Sequence, residues 1–444
     1  MSVTLSDLAC CLEGVVPSII ATCSKEGVPN VSYLSHVFKI DEKHVATSYQ
    51  FFNKTRANLL ENPLAVIKVR HPGNLQSYNM KVKYLRSEEQ GPVYQQMSLK
   101  LDVIAAYEGM GSVFKLKAAD IYEVVEINEI NNQTDFPMPD MCGNGVSLAD
   151  LELLRVISDK ISSLSTLEDF LDHSMHILNR YLGWSHMILL LADPQQKSLI
   201  THSSFGYSFG GVGAEVKWGE GLIGLCAEHG RLLQVSALGE GLRYAQAVKQ
   251  GHTQESLSLR IPLPGLTNPA SQIAAPLSVQ GEFIGVLAVE SATKFYWGVK
   301  EQLLLSTVSN FLAVGIRALE NQGAGLKAES VAVSTPPSND KTALRLRFVS
   351  DSELIFVNDQ YLIKNIPARI LWYLLQTYHK TGRSEFSNME LRAEKSLQLP
   401  EVKDNLETRL ILLRKRLEEQ CPTIRLHSTG RGRFRLEVCG ELQF

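Results

Sequence analysis

The spacing of apolar residues changes twice along the chain. In the first third, short β-branched and aromatic runs read as strands: Val16–Ser24, Val31–Ile40, His44–Ser48 and Leu64–Val69. A short amphipathic helix, Phe51–Pro63, interrupts them and is closed by Asn62-Pro63. From Leu151 to Leu182 the period lengthens, and Leu154, Ile157, Ile161, Leu164, Phe170 and Ile177 mark a helical stripe. Strands are expected at His186–Leu191, Ile273–Val279 and Phe283–Val289, with a closing helix from about Val299 to Leu319. Near the end, Leu406, Leu410, Leu413 and Leu417 predict a helix over Asn405–Gln420. Ile424, Leu426, Phe434, Leu436 and Val438 then alternate with polar residues around Gly430 and Gly432, the pattern of a β-hairpin.

Two tracts lack any period and concentrate turn formers: Asn131–Gly145, and Asn321–Gly325 continued by Val333–Asp340. They divide the chain into residues 1–130, 148–320 and 343–444, with 321–342 as a linker. A chain of 444 residues is long for one core, which fits a three-part α+β organisation. The net charge of −3 conceals an asymmetry. From Lys341 onward there are 18 Lys and Arg against 13 Asp and Glu, a balance of +5 that leaves −8 for the rest. A basic tail on an acidic body suits nucleic-acid contact confined to one end. No apolar run is expected to span a membrane and the start lacks a secretory pattern, so a cytoplasmic protein is expected. The seven cysteines are odd in number, scattered and without a CxxC pair, so neither a disulfide framework nor a zinc ribbon is expected.

Two stretches carry candidate chemistry. Asn53, Lys54, Thr55 and Arg56 at a helix start combine side-chain donors with free backbone N–H groups, a natural phosphate site, and Ser48 lies just before them. At the other end, a basic helix is followed by a hairpin with Arg431, Arg433 and Arg435 at and just after its turn. That pairing suits duplex DNA, with the helix in the major groove and the hairpin on the backbone or minor groove.

The C-terminal stretch resembles the winged-helix effector domain of OmpR-type response regulators. Leu413-Arg-Lys-Arg-Leu417 and Thr429-Gly-Arg-Gly-Arg-Phe434 stand where that family has its recognition-helix core and wing, and the similarity reaches back to about Ala343. At two positions where the family's helix faces DNA this chain has Ile411 and Leu412. The resemblance therefore implies Thr408, Arg409, Lys415, Arg431 and Arg433 as DNA-binding residues.

Residues 5–128 resemble the FMN-binding split β-barrel of the pyridoxamine-phosphate-oxidase-like superfamily. The likeness rests on the Lys54-Thr55, Asn58-Leu59 and Asn62-Pro63 run and on Val113–Val124. It implies FMN held by Ser48, Asn53, Lys54, Thr55 and Arg56 at the interface of a homodimer. Haem at His36 or His71, or an iron–sulfur centre at Cys10, Cys11 and Cys23, is a weaker alternative. The middle resembles a GAF domain through Gly219–Gly230 and through Ala275-Pro-Leu277 with Gly285–Glu290. Its ligand is left open, with Tyr207, Trp218 and Tyr244 as aromatic candidates and Cys226 expected in the core.

There is no GxxxxGK[ST] loop, so a GAF-plus-ATPase activator is excluded on motif grounds, and no HExxH run marks a zincin. The expected arrangement is a split barrel, then a GAF α/β sandwich, then a winged helix-turn-helix. Its expected role is a non-enzymatic, one-component transcriptional regulator with a redox or small-molecule effector. The alternative is a flavin-dependent oxidoreductase with regulatory appendages.

Overall fold

The computed structural model describes residues 3–12, 16–34, 36–49, 53–72, 76–108, 116–130, 147–194, 196–235, 261–267, 269–293, 297–323, 343–399, 406–430 and 432–444. Arg431, Tyr244, the tract 131–145 and residues 324–342 lie outside them.

The N-terminal part contains β1 (Ser18–Cys23), β2 (Pro29–Leu34), β3 (Val37–Lys39), β4 (His44–Tyr49), α1 (Asn53–Glu61), β5 (Leu64–Arg70), β6 (Ser77–Glu88), α2 (Pro92–Glu108) and β7 (Ala118–Ile130). The strands form one seven-stranded sheet in the order β2-β1-β5-β6-β7-β4-β3. The single strand expected over Val31–Ile40 is two strands, and they occupy opposite edges of that sheet. Laid flat, those edges would stand about 29 Å apart at ~4.8 Å per strand. The chain from Leu34 to Val37 spans at most about 11 Å. The sheet must therefore curl until its edges approach, enclosing Ile20, Ile67, Met80, Val82 and Tyr122.

The middle part contains α3 (Leu148–Ser162), α4 (Leu167–Leu182), β8 (His186–Asp193), β9 (Ser198–Phe205), β10 (Glu215–Lys217), α5 (Gly221–His229), β11 (Leu233–Val235), β12 (Ser271–Val279), β13 (Glu282–Ser291) and α6 (Val299–Gly323). Its sheet runs β10-β9-β8-β13-β12-β11, with every pair antiparallel. The continuous helical pattern from Leu151 to Leu182 breaks into α3 and α4. Ser163 caps the first, and the Thr166 side chain accepts from the Asp169 N–H to start the second. The helices α3, α4 and α6 cover one face of the sheet, where Phe170 lies against Gly315 so closely that any added Cβ would stand 2.2 Å from its ring. Residues Val299–Glu320 of α6 do reach the length and apolarity of a membrane span, contrary to the sequence expectation. Here Leu305, Val308, Leu312 and Ile316 of that helix are fully buried in the domain's own core.

The opposite face carries α5 and, across it, α2 from the N-terminal part. Two stripes explain α2. Val93, Met97 and Leu101 face the N-terminal sheet, whereas Leu99 and Val103 are buried with Leu225 and Leu233 of the middle part. Each stripe has i, i+4 spacing and the two lie on opposite sides, so α2 is apolar both ways and is buried both ways.

The last part contains β14 (Ala343–Val349), β15 (Leu354–Val357), β16 (Gln360–Lys364), α7 (Asn365–Thr381), β17 (Glu385–Ser387), α8 (Asn388–Ala393), α9 (Leu406–Gln420), β18 (Ile424–Gly430), β19 (Arg433–Val438) and β20 (Glu441–Gln443). A four-stranded sheet β16-β15-β14-β20 and a three-stranded sheet β17-β19-β18 flank the helices. The expected hairpin is present, with Leu426 opposite Leu436, and Phe434 stacks on Phe386 of β17. The turn uses Gly432 at φ 66°, a left-handed conformation that suits glycine.

At the start of α3 the Ser147 side chain and Asp150 form a reciprocal capping box, and Lys300 of α6 pairs with Asp150 at 2.7 Å. The Lys300 ammonium and the Ser147 donors hold the Asp150 carboxyl down to about 2 from 3.8. A depressed carboxylate stabilises the fold above its unfolded value and loses that contribution as pH falls through the folded one. Asp150→Asn should therefore lower Tm at neutral pH, and its gap to wild type should close between pH 4 and about 2. Thermal scans across that range check it.

Candidate functional site

The helix-start residues on α1 do not meet at one point. The Thr55 hydroxyl is buried and tied to β2, 2.9 Å from both Asn30 Nδ2 and Ser32 Oγ. Arg56 is turned instead toward Asp120 of β7. Burial raises the Asp120 carboxyl, and the Ser87 hydroxyl and Arg56 pull it part of the way back. Lys54 is exposed and Ser48 is buried on β4. The Asn53 side chain is outside the described residues. A phosphate at this helix start would thus find Lys54 available, Thr55 already bonded and a carboxyl beside Arg56. The donor set is smaller than the resemblance implies.

Among the described residues no cluster of His, Cys, Asp or Glu gathers that could hold a metal ion. Cys10 is disulfide-bonded, whereas Cys11 and Cys23 are free thiols, and burial pushes the Cys11 thiol up to about 12. A thiol held protonated is a poor metal ligand. The disulfide itself was not expected. His36 is buried at β3 and His71 just beyond β5, both pushed down by burial.

In the middle part Cys226 is a core residue of α5, and burial raises its thiol. Tyr207 and Trp218 pack against the same apolar cluster but at different points along it. Trp218 packs edge-on to Phe283 at the beginning of β13, and Tyr207 reaches Glu290 near its end. Seven residue steps separate those strand positions, about 23 Å. Around Glu290 there is a compact polar cluster. Its buried carboxylate accepts from Tyr207 Oη at 3.1 Å, from the Leu266 N–H at 2.7 Å and from Gln272 Nε2. Burial raises the Glu290 carboxyl, and these three donors offset part of the rise. The cluster fastens residues 261–267 to β12 and β13.

Residues 166–316 match the family model of the GAF domain. The middle of this chain is a GAF domain. No curated protein matches the sequence. Among solved structures, the GAF domain of an Acinetobacter phosphoenolpyruvate-protein phosphotransferase is 21% identical, over 41% of this chain and 99% of that one, with a TM-score of 0.32. Free methionine-R-sulfoxide reductase from Neisseria meningitidis, solved with its substrate, is 18% identical over 40% and 96%, with a TM-score of 0.31. An FMN-binding protein from Syntrophomonas wolfei is 18% identical over 29% and 88%, with a TM-score of 0.26.

The GAF domain meets the C-terminal part along α9. Leu406, Leu410, Leu413 and Leu417 enter the C-terminal core, but Ile411 enters the GAF core and is 2% exposed. Arg414 pairs with Glu168 and Lys415 with Asp172, both acids on α4, and Lys415 Nζ also donates to the His202 carbonyl at 3.2 Å. Thr408 Oγ1 donates to Glu320 of α6 at 3.3 Å. At the far side Lys364 pairs with Glu215 at 2.6 Å. A cavity of about 120 Å³ remains between the two units, lined by His202, Arg317, Lys364, Thr408, Arg409 and Leu412 among others. Burial, with Lys415 alongside, pushes the His202 ring down to about 3, so it is neutral here.

Of the residues singled out for DNA, Thr408 and Lys415 are therefore buried, Arg409 is half-buried and Arg433 is exposed. Sequence reasoning did not find Glu168, Asp172, Glu320, His202 or Glu290. One signal was visible: Ile411 and Leu412 are apolar on a helix face that would otherwise be wet.

Replacing Ile411 by alanine should cost about 2–5 kcal/mol, the usual loss for a buried isoleucine. Because that side chain fills the neighbouring domain's core, a common unfolding transition should separate into two. Calorimetry reads this directly, and an unchanged thermogram would mean that Ile411 does not couple the units.

Proposed function

We propose that the chain is a one-component transcriptional regulator in which a GAF sensor governs a winged-helix reader of duplex DNA. The observation that carries the reading is the C-terminal topology joined to a sensory domain. A small sheet, three helices and a two-stranded hairpin are arranged so that basic α9 precedes an arginine-bearing turn. Such a unit offers a helix for the major groove and a wing for the backbone. The GAF domain supplies the regulatory side of the proposal, with a small-molecule or redox effector as its input. A homodimer fits the reading, since two readers engage two half-sites with avidity.

Binding to duplex DNA should fall linearly in log–log form with salt, as counterions leave the phosphates. Arg433→Ala, on the exposed wing, should weaken binding across all sequences and reduce the salt slope by about one. Fluorescence anisotropy with labelled duplexes at several salt concentrations provides the test. Salt-independent binding would remove the DNA reader from the proposal.

For the N-terminal part the proposal is an FMN-type module with Lys54 and the α1 N-terminus on the phosphate. Lys54→Ala should then lower FMN affinity by one to two decades, about 2–3 kcal/mol for a lost charge-assisted contact. Calorimetric titration of FMN into both proteins measures this, and no heat with wild type would leave the curled sheet as an assembly module. Steady NAD(P)H turnover by the flavin-loaded chain would instead favour the oxidoreductase alternative.

A further inference from the structure

We propose that the acidic face of the GAF domain, built from Glu168, Asp172 and Glu320, occupies the very surface that α9 would present to duplex DNA, so that this conformation is a closed regulator. The inference rests on the DNA-reading function proposed above and adds its control.

The geometry carries it. Glu168 and Asp172 are spaced i, i+4 on α4, which puts both carboxylates on one face of that helix. They meet Arg414 and Lys415, consecutive basic residues of α9. Glu320 takes the Thr408 hydroxyl about two turns further toward the helix start. A row of negative charges along a basic helix has the chemistry of a phosphate backbone, and both cannot be bound at once. Ile411 seats the helix between those polar contacts and is covered by the GAF core.

The same interface is built to release. Arg414 Nε and His202 Nδ1 are buried at it without hydrogen-bond partners. Such groups regain water when the surfaces part, which lowers the cost of opening. Burial raises the carboxyls of Glu168 and Glu320 despite their cationic or hydroxyl partners, so desolvation outweighs pairing at both. An interface of charges that are paired yet poorly solvated holds weakly and discriminates strongly. A ligand or redox change that shifts α4 against α6 would therefore move an equilibrium between covered and free α9. If only about one molecule in a hundred is open, apparent DNA affinity is about a hundredfold below that of the open form.

The test uses the full chain and a fluorescein-labelled mixed-sequence duplex at low salt. Glu168→Gln with Asp172→Asn removes the clamp charges and leaves every residue of α9 intact. Glu152→Gln with Asp159→Asn, on the exposed side of α3, makes the same change in net charge and is the control. Hydrogen exchange over residues 406–420 reports release of α9 independently of DNA. The clamp variant should bind duplex at least about tenfold tighter than both the control and wild type, with faster exchange in α9. If wild type and the clamp variant bind DNA equally while exchange is faster, the closed state does not regulate access, and the reader stands without this control. If exchange is faster and neither protein binds duplex, the DNA-reading function itself falls and takes the inference with it. Unchanged exchange in α9 would show that Glu168 and Asp172 do not hold the helix, which also overturns the proposal.

Discussion

Burial of one helix between two hydrophobic cores governs how the C-terminal half of this protein is put together. On α9, Leu406, Leu410, Leu413 and Leu417 satisfy the C-terminal core, and Ile411 satisfies the GAF core. Since a helix presents only about one face to its own domain, the second apolar direction demands a second partner. The polar positions alongside are then desolvated by necessity. Lys415, only 9% exposed, finds Asp172 and a carbonyl because an unpaired ammonium at that depth would be costly.

The GAF sheet is bounded in the same way on its other face. There α2 from the N-terminal part sends Leu99 and Val103 into the cluster formed with α5 and β11. Each face of the six-stranded sheet thus touches a helix that belongs to a neighbour. Any event that repacks the GAF interior is felt at both contacts, since close-packed interiors transmit small displacements rather than absorbing them. The Glu290 cluster ties residues 261–267 to the same two central strands, β12 and β13.

The two ends differ in the character of their contacts. The α2 contact is chiefly apolar, whereas the α9 contact combines one isoleucine with three acidic and two basic side chains. Apolar contacts hold irrespective of salt and partner. Charged contacts can be taken over by another polyanion or polycation, and they weaken with ionic strength. Coupling of fixed strength on one side and exchangeable coupling on the other is what the proposed relay from the GAF domain toward α9 requires.

Periodicity and local motifs were enough to show the GAF domain, the C-terminal hairpin about Gly432, and the helices now seen as α1, α6 and α9. Those features depend on residues within one or two turns or one hairpin of each other. The sequence alone also marked Ile411 and Leu412 as misplaced for a wet helix face. It did not say which core would take them, because apolar spacing records that a side chain must be covered and not by what. The tertiary structure decided that, and likewise broke Val31–Ile40 into strands on opposite sheet edges. It gave α2 its two partners, bound Thr55 to Asn30 and Ser32, and set Asp120 near Arg56. Each of these joins residues distant in the chain, where only the packing of whole elements fixes who meets whom.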